Sequence, residues 1–306
     1  MIKVLVIAGV TGAGKSRLGV ALAHRLNGEI ISADSVAVYH ELNVGSAKPT
    51  INEQEGVPHH LINVTNINTP YNVARFQKEG RACIEEIHSR GKLPIIVGGT
   101  GLYINALLRD YQFEEERTLS EVDERLSNEE LYRQLQEVDP ESAQTIHINN
   151  RQRMIRALQI NNSQGKTKAS SNQAQKNILL YDACILFLQG DREMLYQRIN
   201  NRVDEMIENG LLDEVKTLQA TDPAVFNLQS MQAIGYREFA PYFEGTQSLE
   251  ATIELIKQNT RRFAKRQITW FKHQTPSVWV DVFAPDMMIH VNNAIEAWEQ
   301  SISQEI

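Results

Sequence analysis

The chain has 306 residues, 42% of them hydrophobic and 23% charged, and a formal net charge of −7. That suffices for one large or two ordinary domains with a sizeable core, and it excludes a disordered, collagen-like or disulfide-scaffold protein. No apolar run approaches membrane-spanning length, and Cys83 and Cys184 stand in unrelated segments without metal-type spacing. Met1 leads straight into a strand pattern, so no signal peptide is expected and a reduced, cytoplasmic protein without a membrane partner fits. The acidic balance argues mildly against nucleic acid, but an average hides local charge.

Residues 2–8 read as a buried strand and 15–27 as a helix with Leu18, Ala21, Leu22 and Leu26 on one stripe. Glu29 to Ser35 reads as a second strand ending in the polar pair Asp34-Ser35, and His59 to Val64 as a short third strand. A helix is predicted over 73–90, closed by Gly91, followed by a buried strand Leu93–Val97 that runs into Gly98-Gly99-Thr100-Gly101. Alternating strands and helices argue for a parallel α/β sheet. The character changes near Asp110: from there to Glu141 stand twelve acidic and three basic residues, read as a helical insertion. Arg151 to Lys168 reverses the balance with five basic residues and no acidic one, and 161–176 reads as a polar loop. A strand returns at 183–188, two helical stretches follow at about 191–220 and 247–272, and a last strand is predicted at 277–282. The expected organisation is an α/β core in two parts, 1–109 and 177–306, around an insertion at 110–176.

Gly9-Val10-Thr11-Gly12-Ala13-Gly14-Lys15-Ser16 lies between the first strand and the first helix. Strand, Gly-rich loop, Lys-Ser and helix is the context of a phosphate-binding P-loop. Its N–H groups would face an anion at a helix N-terminus, Lys15 would reach the phosphates, and the Ser16 hydroxyl would ligate Mg²⁺. The motif leaves open whether the phosphate is transferred, hydrolysed or released. Asp34-Ser35 and the Gly98–Gly101 turn end strands at the same sheet edge, where ligands of open parallel sheets bind. Asp34 could hold Mg²⁺ through water or take a proton from a nucleophile; taken alone, a capping role would be the commoner one. Adjacent His59 and His60 would point to opposite faces of a strand, so they are read as packing and hydrogen-bonding residues near the site and not as metal ligands.

The late helix carries Arg261, Arg262, Lys265 and Arg266 at helical spacing, and Lys257 to His273 holds six Lys or Arg and no acidic residue. Leu249, Ile253, Ile256, Thr260, Phe263 and Trp270 form its expected core stripe. Such runs are usually solvated faces, but a single-signed run in an acidic chain is what a phosphate-backbone contact surface would look like. Arg151, Arg153 and Arg156 form a second candidate of the same kind.

In its ordered motifs the chain resembles the tRNA dimethylallyltransferases, also called tRNA isopentenyltransferases. The motifs are Gly9–Ser16, Asp34-Ser35, Val44–Pro49, Pro58–Ile62, Gly98–Tyr103, Asn150–Leu158, Arg198–Gly210, Gln232–Arg237 and Arg261–Trp270. The resemblance implies a P-loop NTPase-like parallel sheet flanked by helices, with a small helical insertion domain. It implies transfer of a dimethylallyl group from dimethylallyl diphosphate to the exocyclic amine of the adenosine 3′ to the anticodon, with Mg²⁺ and release of diphosphate. Asp34 would then be the base, Thr100 would orient Asp34 and the diphosphate, and Lys15 and Arg202 would hold the diphosphate with Gly9 to Ser16. The residues facing tRNA would be Asp34, Ser35, Val36, Ala37, Thr100, Gln152, Arg153, Arg156, Gln232, Gly235, Tyr236 and Arg237, with Arg262 and Lys265 on its backbone. A monomer is expected. The stretch from Asp110 to Val138 is shorter and more acidic than the family pattern leads one to expect. Three other readings of the motifs compete: a small-molecule P-loop kinase that binds ATP, a prenyltransferase of free adenine nucleotides, and a non-catalytic nucleotide switch that binds RNA.

Overall fold

A computed structural model describes residues 1–113, 122–123, 125–164 and 178–300. They form two compact units, one of residues 1–108 together with the chain from Tyr181 onward, the other of Arg109–Leu180. The first unit is built on six strands among the described residues: β1 (Lys3–Gly9), β2 (Gly28–Ala33), β3 (His59–His60), β4 (Leu93–Gly98), β5 (Asp182–Gln189) and β6 (Val278–Asp281). Their order in space is β3-β2-β4-β1-β5-β6, and every pairing is parallel. The central strand β1 pairs Leu5 with both Ile95 and Cys184, and Val4 to Ala8 are wholly buried. Helices cover both faces of such a sheet, which is why β1 is an unbroken apolar run instead of an alternating one.

Helices α1 (Lys15–Leu26), α2 (Ile51–Gln54), α3 (Val73–Ser89) and α4 (Gly101–Leu108) belong to the first half of this unit. Asn72 caps α3, and Gly91, at φ 71°, follows its end with its N–H on the His88 carbonyl. The second half carries α8 (Arg192–Glu208), α9 (Leu211–Thr221), α10 (Ala240–Phe243), α11 (Leu249–Gln274) and α12 (Met287–Gln300). Between them in sequence, the second unit holds α5 (Asn128–Val138), α6 (Pro140–Thr145) and α7 (Arg151–Gln164) around Leu131, Leu135, Ala143, Ile146, Met154, Ala157 and Leu158. A reciprocal capping box between Ser127 and Glu130 starts α5, and Asp139 with Pro140 starts α6.

Several expectations are corrected. The third strand stops after His60, because Leu61 and Asn63 adopt left-handed backbone and the chain turns to pair with 37–38. The stretch 191–220 is two helices, broken at Gly210, whose φ of 93° no ordinary helical residue adopts. Helices α4 and α12 form where none was expected. The expected loop 161–176 is helical to Gln164, and the rest of it lies outside the described residues. The histidines sit away from the Asp34 end of β2: His60 Nε2 lies 2.8 Å from Glu29 at its start, and His59 Nδ1 lies 2.8 Å from the Val57 carbonyl.

Glu29 anchors that opposite end. Its carboxylate is 1% exposed and takes both Arg90 guanidinium nitrogens, Lys92 Nζ at 2.8 Å and the His60 ring. The Arg90 hydrogen bonds lead in holding its pKa far below the usual carboxylate range, against burial. A carboxylate with a lowered folded pKa stabilises above its unfolded pKa, and that stabilisation is lost as pH falls. Glu29→Gln should therefore cost about 3–5 kcal/mol at neutral pH. The gap to wild type should narrow as pH drops below about 4.3. Denaturant melts at pH 7 and in the acid range would check both; a gap independent of pH would mean the carboxylate charge contributes nothing.

Candidate active site

The P-loop leaves β1 and enters α1 through Gly14, a left-handed residue (φ 82°) that an L side chain would strain. Two loop N–H groups are spent on the scaffold: Val10 donates to the Leu188 carbonyl at 3.2 Å and Thr11 to Gln267 Oε1 at 3.0 Å. A third, on Ala13, turns back to the Val10 carbonyl at 3.2 Å. The N–H groups of Gly12, Gly14, Lys15 and Ser16 have no protein acceptor among the described residues. Four donors at the positive end of a helix make an anion site. Gly9, Val10, Thr11 and Ala13 therefore frame the cradle more than they line it, a narrowing of the expected contact set. Lys15 Nζ sits 2.8 Å from the Val10 carbonyl. Burial, and then the positive charge of Arg202, bring its pKa down to about 8, with Asp34 opposing. Arg202, on α8, is likewise lowered by burial and raised by Asp34, Glu205 and Glu53, so Lys15, Arg202 and Asp34 share one electrostatic neighbourhood. Arg202 also donates to the Ala47 carbonyl.

Asp34 follows β2 directly. Its Oδ1 takes the N–H groups of Val36 (2.7 Å) and Ala37 (3.2 Å), while Oδ2 has no hydrogen bond among the described residues. Capping therefore occupies one oxygen and fixes the side chain, and it leaves the other without a protein partner among the described residues. Its charge also reaches Tyr103, whose phenol is pushed up by burial first, then by Tyr39 and Asp34. Thr100 is half-buried between β4 and α4, its carbonyl taking the N–H groups of Tyr103 and Ile104. Ser16 is exposed at the start of α1. Among the described residues no cluster of three His, Cys, Asp or Glu is placed to hold a metal. One hydroxyl, and a carboxylate through water, is the donor set of a Mg²⁺ shared with ligand phosphates.

The other singled-out residues divide. Ser35, Gln232 and Arg237 are exposed and Val36 is partly so; Arg237 is paired with Glu238 at 3.0 Å. Ala37, Gly235 and Tyr236 are buried, which corrects them as side-chain contacts for a nucleic acid. Tyr236 is wholly enclosed and donates to Glu214 Oε1 at 2.7 Å; Glu214 also gathers the N–H groups of Asn43, Val44 and Gly45. The Gln232–Arg237 segment thus braces the loop that ends on Arg202. On α11, Arg262, Lys265 and Arg266 are exposed without an ion pair among the described residues. Lys257 is spent on Asp204 at 2.7 Å and Arg261 on Asn200. The stripe that packs inward is Thr252, Ile256, Ala264, Gln267 and Phe271, while Phe263 and Trp270 are only partly buried. In the second unit Gln152, Arg153 and Arg156 are exposed, whereas Arg151 is tied to the Leu126 carbonyl and Asn128. Gln267, Glu214 and Tyr103 are site residues that sequence reasoning passed over; a polar Gln on an apolar stripe is the one signal that marks the first.

A phosphate cradle, a strand-end carboxylate and a basic helix define a P-loop transferase-type site. The family model "IPP transferase" matches residues 37–274, and the chain belongs to that family. A tRNA dimethylallyltransferase of Bacillus mycoides is 49% identical over 287 residues, 92% of this chain and 90% of that protein. The one of Geobacillus thermodenitrificans is 46% identical over 93% of this chain and 92% of its own length. A solved tRNA delta(2)-isopentenylpyrophosphate transferase of Staphylococcus epidermidis superposes with TM-score 0.72 at 38% identity, covering 97% of this chain and all of that one. A eukaryotic dimethylallyltransferase acting on tRNA superposes at 0.83 and 32% identity, over all of this chain and 81% of its own. The six-stranded parallel sheet flanked by helices agrees with the expected fold class.

Tyr236→Phe isolates the bracing role. Losing a buried hydrogen bond to a carboxylate should cost about 1.5–3 kcal/mol. Urea melts of the two proteins would measure it, and an unchanged midpoint would show the hydroxyl to be idle.

Proposed function

We propose that this protein transfers a dimethylallyl group from dimethylallyl diphosphate to the exocyclic N6 of the adenosine on the 3′ side of the tRNA anticodon, releasing diphosphate. The observation that carries the reading is the free Oδ2 of Asp34 in the same electrostatic neighbourhood as Lys15 and Arg202. The names of the relatives support the reaction and the tRNA acceptor.

The free N–H groups of Gly12, Gly14, Lys15 and Ser16, with the charges of Lys15 and Arg202, hold the diphosphate. As the carbon–oxygen bond breaks, its electron pair stays on the diphosphate, and donors already aimed there stabilise that charge without reorganising. The adenine amine forms the new carbon–nitrogen bond, and its proton passes to Asp34 Oδ2. An amine conjugated with the ring is a weak nucleophile, so a positioned base contributes about 10²–10⁴-fold. Thr100, at the end of β4, orients the two reactants. Ser16, with Asp34 through water, would hold Mg²⁺, which would supply positive charge against the leaving diphosphate. The acceptor base must leave its stack to reach Asp34. Ser35, Gln232 and Arg237 are its proposed readers, and Arg262 and Lys265 are proposed to hold the backbone; in the second unit, taken by itself, Gln152, Arg153 and Arg156 are proposed tRNA contacts. No described helix is long and apolar enough to cross a membrane. A tRNA acceptor puts the reaction in the cytoplasm, and we take the chain to work as a monomer.

Single-turnover incubation with Mg²⁺, dimethylallyl diphosphate and unmodified tRNA, beside a parallel with AMP, tests the reaction, nucleosides being read by mass spectrometry. A five-carbon gain on the anticodon-adjacent adenosine and none on AMP is expected. Gain on AMP alone would assign a free-nucleotide acceptor, and ATP turnover without gain would assign a kinase or switch. Asp34→Asn should slow the step by about 10²–10⁴-fold with tRNA affinity nearly intact; a rate near wild type would remove Asp34 as the base.

The basic face of α11 gives a separate outcome. Arg262→Ala with Lys265→Ala should weaken tRNA binding and flatten the slope of log K against log salt by about 1.5, near the counterions two phosphate contacts release. Titrations at several salt concentrations would read it, and an unchanged slope would make the cluster a solvated face.

A further inference from the structure

Gln267 lies in the middle of the inward stripe of α11, 5% exposed, among residues otherwise apolar or small. Its side-chain oxygen accepts from the Thr11 N–H at 3.0 Å, and its side-chain nitrogen donates to the Gly99 carbonyl at 3.0 Å. One amide thus ties the P-loop, which continues into the free donors from Gly12 onward, to the strand end that continues into Thr100. The two contacts need an acceptor and a donor from the same planar group, which the Gln amide supplies without a charge at any pH. The backbone partners set its orientation, since an N–H requires oxygen and a carbonyl requires the NH₂. The fit is tight: a Cβ at position 99 would stand 2.2 Å from Gln267 Nε2. The next inward turn repeats the pattern, because a Cβ on Gly101 would stand 2.2 Å from Trp270.

We propose that Gln267 is a positioning residue that sets the diphosphate cradle and Thr100 in one frame by bridging the Thr11 N–H and the Gly99 carbonyl. This rests on the diphosphate reading of the P-loop. With the Thr11 N–H and the Gly99 carbonyl both taken up by the amide, neither is offered to the anion, and the Gly99 oxygen does not oppose it. Without the amide the Gly99 carbonyl is free to rotate towards the leaving group, where its oxygen repels the charge that develops. A long helix whose outer face bears Arg262, Lys265 and Arg266 thereby also determines, through its inner face, where the leaving group sits.

The test uses inorganic pyrophosphate with Mg²⁺ on the full chain, by calorimetry, with Gln267→Met and Gln267→Glu and a thermal melt of each. Gln267→Met should weaken pyrophosphate roughly 10-fold to 100-fold, the loss expected when a buried polar pair is orphaned. Its affinity for an anticodon stem-loop RNA should stay within about two-fold of wild type, as expected where the phosphate contacts are untouched. In Gln267→Glu only a protonated carboxyl can replace the amide donor, so its affinity relative to wild type should recover as pH falls towards about 5. That ratio is a signature which a merely structural role would not produce, and it decides the matter if the Met variant melts below the assay temperature. Equal pyrophosphate affinity in a folded Gln267→Met, or a Gln267→Glu ratio flat with pH, overturns the inference alone. Failure of the wild type to bind pyrophosphate overturns the diphosphate reading and the inference together.

Discussion

At the N-terminus of α1, Lys15 is buried within reach of the Arg202 charge, and both burial and that charge lower its pKa while Asp34 opposes them. Like charges gathered with one carboxylate leave a net positive field at that end of the helix. Holding it requires every neighbouring element. Strand β1 delivers Lys15, β2 delivers Asp34, and α8 delivers Arg202, whose guanidinium is steadied by the Ala47 carbonyl in a loop that Glu214 and Tyr236 clamp. The N–H groups of Gly12, Gly14, Lys15 and Ser16 add their partial charges in the same direction.

The sheet separates stability from chemistry along its length. At the start of β2, Glu29 is saturated by Arg90, Lys92 and His60, each charge answered by another. Past the end of the same strand, Asp34 keeps one oxygen without a partner among the described residues. A strand of six residues thus carries a closed ionic network at its start and an open carboxylate just past its end. Strained and unsatisfied groups at one edge persist because the other edge and the apolar core hold the strands in register.

What was legible in the sequence was local. The P-loop needs only eight consecutive residues and the strand and helix beside them, and Asp34 and Thr100 followed from counting strand ends. The β1, β4 and β5 runs were legible because two-sided burial leaves no polar position in them. The failures are long-range. Nothing local distinguishes Tyr236, enclosed against Glu214, from an aromatic residue offered to a base. The spacing placed Trp270 rightly against the core and Phe263 wrongly: the helix turns Ala264, Gln267 and Phe271 inward, and glycines at 99 and 101 let Gln267 and Trp270 approach the strand end. Lys257 and Arg261 looked like members of the basic face until Asp204 and Asn200 of α8 took them. Helix α4 was missed because its start is the Gly-rich strand end itself, and α12 because no chemistry drew attention to it.

The position of β1 has a consequence for the order in which the protein can be made. Leu5 to Ala8 are paired on one side by β4 and on the other by β5, yet residues 182–189 leave the ribosome after the whole of the second unit has been synthesised. During that interval the nascent chain holds a fully apolar strand with one bare edge, the kind of template that recruits wrong partners. The same delay governs activity. Val10 finds its acceptor on Leu188, and the Arg and Gln that complete the cradle arrive later still. A nascent chain that already carries all of Gly9–Ser16 therefore lacks the strand and the helices that hold that loop in its final geometry.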